Sequence, residues 1–211
     1  MAIHFGIITK DKPDGMKLTR ENYIRVNKKS SLLPGYIYTD QEIKKQIKYS
    51  LYNFDLNMNF FKNLSTEEFN NDLTDYLTAS KVFVEIDDLS VFKEISGYYM
   101  MVLDEYKQVY IGKTKDIKLR LQQHWSRQKQ FDRLVFGSKE NSVLSIDSFR
   151  AYDTTRIFVY PTSDNDELTN TEYTLIDRFN PKYLLNRTAG GSFSNGLLDA
   201  AVNQKKRIFT K

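Results

Sequence analysis

The chain has no cysteine, which excludes disulfides, zinc–thiolate centres and cysteine nucleophiles together. It also lacks any apolar run near the ~20 residues that a membrane-spanning helix needs. The opening stretch, MAIHFGIITKDKPDG, has no basic segment followed by a long apolar one. No secretory leader is therefore expected, and a cytoplasmic protein is the reading. What is abundant is aromatic: 14 Tyr and 14 Phe in 211 residues, with 40% hydrophobic residues overall. That composition rules out a wholly disordered chain. The length suits one core of ordinary size with a small appended region.

The net charge of +4 is unevenly placed. Residues 1–50 carry 10 Lys or Arg against 5 Asp or Glu, whereas 51–95 carry 3 against 9. The segment 107–133 then holds 8 basic residues against Asp116 and Asp132. A basic stripe beside tyrosines suits a polyanion such as nucleic acid, whose phosphates dominate binding. A solvated helix face is the plainer alternative.

Periodicity divides the chain coarsely. Residues 2–9 read as a short strand. From about Asp40 to Asn63, Ile43, Ile47, Leu51 and Phe54 recur at helical spacing. Ser65 and Glu68 read as a capping box opening a second helix to about residue 79, burying Phe69, Leu73, Tyr76 and Leu77. KVFVEI at 81–86 has strand character. No sharp boundary marks the end of this mainly helical part, which is taken as residues 1–95. From Gly97, GYYMMVL and VYIGK read as a hairpin through DEYKQ, with Tyr99 and Tyr110 on one face and Tyr98 on the other. Thr114 is the expected N-cap of a helix carrying Ile117, Leu121 and Trp125, with Arg120 and His124 four apart on an adjacent face. Residues 134–154 show no period, TRIFVY at 155–160 reads as a strand, and DELTNTEYTLIDRF as a helix stopped by Pro181. The tail is expected to hold a short helix near 196–204 and the basic cluster Lys205, Lys206 and Arg207.

That last helix contains an anomaly. Leu168, Leu175, Ile176 and Phe179 form its apolar stripe, and the missing position of the stripe is Glu172. A carboxylate turned inward is costly unless it pairs, neutralises or meets a metal. Periodicity alone favours a structural ion pair over a functional role.

Its companions tip the balance. GYY, a ten-residue interval, YIG, then Arg120 eight residues beyond Gly112, resemble the GIY-YIG nuclease family, with Tyr98 in place of the usual isoleucine. Lys113 directly after the second triplet looks like the excision-repair branch of that family. Arg120-x-x-x-His124 is more similar to its restriction enzymes. Glu172 and Asn186 match the family's glutamate and asparagine. The resemblance covers about residues 96–190, leaving 191–211 as a tail, and implies an α+β fold with a small three-stranded antiparallel sheet flanked by helices. The first 95 residues carry no resemblance.

The resemblance further implies an endonuclease that hydrolyses DNA, most simply double-stranded, using one divalent metal. Mg²⁺ held by Glu172 is the expected ion and Mn²⁺ a substitute, since Mg²⁺ keeps most of its waters and takes one or two carboxylates. Arg120 would clamp the scissile phosphate and His124 would orient water or donate to phosphate. Lys113 would contact phosphate or help a phenol ionise. Of the two tyrosines, one is the general base and the other a positioning group, with Tyr99 placed ahead of Tyr110. Asn186 would fix the motif backbone. Lys115, Lys118, Arg127, Lys129 and Arg133 are candidate DNA contacts, as are Lys139 and Arg150 in the 134–154 connection and the basic stretch 17–29. A catalytically silent nucleic-acid-binding module on the same fold is the alternative. A monomer and a homodimer are equally open.

Overall fold

The computed structural model describes residues 2–9, 15–162 and 168–187. The tail helix and basic cluster expected after residue 190 lie outside the described residues. The N-terminal strand expectation resolves into a hairpin, β1 (Ala2–His4) and β2 (Ile7–Thr9). Two long helices follow, α1 (Asp40–Lys62) and α2 (Thr66–Ser80). Then come β3 (Val84–Ile86), β4 (Gly97–Leu103), β5 (Gln108–Thr114), α3 (Ile117–Ser126), β6 (Arg156–Pro161) and α4 (Leu168–Asp177).

The architecture is α+β around an antiparallel sheet, and that sheet has four strands, in the order β3-β6-β4-β5, where three were expected. The extra strand comes from the N-terminal part: Val84, Glu85 and Ile86 pair with Val159, Phe158 and Ile157. β4 is buried along its whole length, as a strand covered on both faces should be. Gly97 stands at its start with φ +152, and a Cβ there would lie 2.3 Å from the Tyr160 carbonyl. Glycine is therefore required where β4 crosses β6.

The caps differ from expectation in two places. Asp116, not Thr114, caps α3, accepting from Leu119 N at 2.8 Å. Thr114 instead closes the turn by accepting from Asp116 N. Asp is the stronger cap when both lie within reach of the first turn. Ser65 caps α2 through Glu68 N, but the Glu68 carboxylate turns away to Lys182 and Tyr183. A partner of opposite charge outcompetes a neutral backbone amide. The complete capping box sits on α1, between Thr39 and Glu42.

α1 and α2 are bound into the same body. Phe69, Leu73 and Tyr76 are buried as expected. Tyr76 donates to the Leu175 carbonyl and meets Phe179, while Phe69 meets Tyr183. On α1, Asn53 and Asn57 donate to the Ser142 carbonyl at 2.6 and 2.9 Å. These bonds pin the 134–154 connection, which has no periodic signal because it is built of short 3-10 turns at 146–148 and 151–153.

Candidate active site

The hairpin brings the two motif tyrosines together diagonally. Tyr99 lies opposite Gly112 and Tyr110 opposite Met101, so both rings project from one face with centroids 6.2 Å apart. Gly112 is what lets the Tyr99 ring cross the neighbouring strand, since a Cβ there would sit 2.4 Å from the phenol oxygen. Tyr98 goes to the opposite face and stacks on Tyr160, with centroids 5.5 Å apart.

α3 supplies the next layer. Its apolar side, Ile117, Leu121 and Trp125, is buried, which turns Arg120 and His124 toward the tyrosines. The Tyr99 hydroxyl lies 2.7 Å from His124 Nε2, and His124 Nδ1 lies 2.6 Å from Asp147 Oδ1. Burial pushes Asp147 up, but the hydrogen bond and charge of His124, with Lys129 and Arg120, outweigh it and hold the carboxyl below its usual range. An ionised Asp147 can only accept, so His124 carries its proton on Nδ1 and accepts from Tyr99 at Nε2. Burial pulls His124 below its ordinary pKa, against the opposing pull of Asp147. The ring is therefore neutral near pH 7.

Burial also pushes both phenols up, Tyr99 well above its usual value and Tyr110 to about 12. The Glu172 charge adds to the rise in each, and Arg120 opposes it. Arg120 lies close enough to both phenols to act on them electrostatically.

Glu172 is turned inward, its side chain 12% exposed, with Lys113 Nζ 3.8 Å from Oε2. Burial raises its pKa, against the opposing charges of Lys113 and Arg120 and a hydrogen bond from the Lys113 backbone. At 3.8 Å the ion pair is loose.

Asn186 acts on the free edge of β5. Its Nδ2 donates to the Ile111 carbonyl at 2.7 Å, and its Oδ1 accepts from the Ile111 amide at 3.1 Å. The side chain thus imitates one residue of a neighbouring strand. Leu185 N extends the pairing to the Val109 carbonyl. Asn186→Ala should leave both Ile111 groups buried without partners, costing about 1–3 kcal/mol. Thermal unfolding should record this as a Tm lower by about 3–10 °C.

Tyr99, Tyr110, Lys113, Arg120, His124 and Glu172 are thus linked by hydrogen bonds, ring contacts or charge into one cluster, with Asn186 bracing the strand behind it. Asp147 was missed: it lies in the aperiodic connection, and its only sequence signal is an acid following Ser145 in SIDSF. Among the candidate DNA contacts, Arg127, Lys129 and Arg133 line one groove with Asp147. Lys115 and Lys118 lie outside that groove. Arg150 is a correction. Its side chain is buried at 2% exposure and donates to the Asn22 carbonyl, because the 3-10 turn at 151–153 packs it inward, away from any DNA. Lys139 pairs with Glu140 and lies over the rings of Tyr49 and Tyr52. In the 17–29 stretch, Lys17, Arg20 and Lys28 pair with Glu105, Asp55 and Asp40.

Residues 95–184 match the family model described as the GIY-YIG catalytic domain. This segment is a GIY-YIG domain. The family is one of endonucleases, so a domain of this kind implies DNA cleavage in general. No curated protein and no solved structure matches the chain. No helix among the described residues is long and apolar enough to cross a membrane.

Proposed function

We propose that the chain is a metal-dependent endonuclease that hydrolyses DNA phosphodiester bonds, of a restriction-like or stand-alone kind. The observation that carries this reading is the hydrogen-bonded chain from Tyr99 through His124 to Asp147, set beside the inward Glu172. A silent binding module has no need of a phenol wired to an acid-backed imidazole. The Arg120-x-x-x-His124 spacing is what favours the restriction-like form.

Among the described residues no group of three or more His, Asp or Glu could hold a metal by itself. That fits an ion which keeps most of its water, as Mg²⁺ does, with Glu172 as the protein ligand. A bound divalent cation would neutralise charge on the phosphoryl oxygens and the leaving oxygen. The chain's own residues do the rest. Arg120 takes two oxygens of the scissile phosphate, a geometry for which guanidinium is suited. Lys113 adds a second positive charge on the phosphate. The Tyr99 oxygen takes a proton from the attacking water while its own proton passes to His124 Nε2. The imidazolium so formed is stabilised by Asp147, as in other acid–imidazole pairs. Tyr110, less deeply covered than Tyr99, holds the water in line.

The direct test is a mapped digest of defined plasmid DNA with Mg²⁺ or Mn²⁺. Nicked or linear product is expected, and DNA that is shifted but never cut across several metals would establish the silent-module alternative. Asp147→Asn adds a sharper prediction. It keeps the shape but presents an amide to His124 Nδ1, favouring the wrong tautomer. Cleavage should fall by about 10²–10⁴ with DNA affinity little changed.

A further inference from the structure

The N-terminal region does more than complete the sheet. Residues 25–31 run as a strap beside residues 127–133, the segment that leaves α3. The strap is held by a parallel bridge between Arg25 and Gln130 and by Phe131 N donating to the Arg25 carbonyl. Gln130 Nε2 donates to the carbonyls of Asn27 and Lys29, at 3.0 and 2.7 Å. The buried Asp132 carboxylate fixes the strap's end, accepting from Ser31 N at 2.8 Å and from the hydroxyls of Ser30, Ser31 and Tyr38.

Between these segments lies an open groove of about 520 Å³, lined by Arg25, Arg127, Lys129, Arg133, Ser31 and Asp147. Four cations thus face one carboxylate, and that carboxylate is engaged by His124. Arg25, Arg127 and Arg133 are exposed. Lys129 sits deeper, its Nζ 3.7 Å from Asp147. Arg133 is braced by Ser31 Oγ at 3.1 Å. The inner end of the groove is the back of the Tyr99–His124–Asp147 chain.

We infer that this groove is the track for a DNA backbone flanking the scissile phosphate, with Arg25 of the N-terminal strap as one wall and Arg127, Lys129 and Arg133 as the other. The inference rests on the nuclease reading for its substrate class and adds the region of the chain that grips it. A pinned strap backbone, with Lys129 and Arg133 held at their tips, suits a stiff polyanion, because less ordering remains to be done on binding. Contacts of this kind position the duplex and carry no sequence information.

The test separates grip from chemistry by measuring binding in a Glu172→Gln background. A fluorescent duplex is titrated by anisotropy at several salt concentrations. Arg25→Ala combined with Arg127→Ala should weaken binding by about tenfold or more and lower the slope of log K against log salt by about 2. Arg25→Lys combined with Arg127→Lys should preserve the slope, which separates lost charge from a damaged fold. An Ala pair with unchanged affinity and slope overturns the inference, and so does a parent protein that never binds DNA. Binding through the groove without cleavage by the wild-type chain would defeat the nuclease reading and leave the track standing.

Discussion

Glu172→Gln is expected to reduce cleavage by at least about 10³-fold while leaving thermal stability unchanged or improved. The two effects share one cause. Burial raises the Glu172 pKa above its unfolded value, so the folded protein holds the proton more tightly than the unfolded chain does. Stability from this group is greatest below the unfolded pKa and declines as pH rises through the folded one. At neutral pH the ionised carboxylate therefore costs stability, and the neutral amide removes that cost. A plasmid-nicking assay and a melting curve on the same preparation check both halves. A variant that melts well below the wild type would mark Glu172 as a structural ion-pair partner of Lys113.

Tyr99→Phe should lower cleavage by about 10²–10⁴, whereas Tyr110→Phe should be the milder change. The first substitution keeps an aromatic ring packed over Gly112 but leaves His124 Nε2 without its donor and the water without its base. The accompanying pH profile follows from His124. Burial holds its folded pKa below the unfolded value near 6.5, so the unfolded chain binds the proton more readily. Stability from the neutral ring is present above about 6.5 and is lost as pH falls toward the folded pKa. Cleavage should fall over that same acidic window, because a protonated His124 cannot accept from Tyr99. Single-turnover rates between about pH 5 and 8 measure this. An acid limb identical in Asp147→Asn and wild type would detach it from His124, and equal losses in the two Phe variants would remove the distinction between the phenols.

Much of this was legible where the constraint is local. Strand alternation put the Tyr99 and Tyr110 rings on one face, and the structure has them there. Helical spacing located Arg120 and His124 correctly, since three buried apolar residues set the rotation of α3. Glu172 was visible as a gap in a stripe. Asp147 was not visible, because its meaning comes from a contact with a residue 23 positions away and its own segment has no period. β3 was read as a strand, but nothing in six residues says which sheet it will join. Arg150 misled for a related reason: a basic residue in an aperiodic stretch reads as exposed until packing turns it inward. The basic stretch 17–29 was read as a candidate DNA contact, but nothing in it singled out Arg25, which differs from its basic neighbours in what lies opposite.

The pairing of Val84–Ile86 with the outer edge of β6 bears on how such a domain could be exchanged between proteins. The matched segment begins at residue 95, so a cassette cut to that boundary would leave behind the strand that seals it. The uncovered ladder would then offer its amides and carbonyls to any passing chain. Moved elsewhere, the matched segment would gain from a recipient strand that covers the same edge.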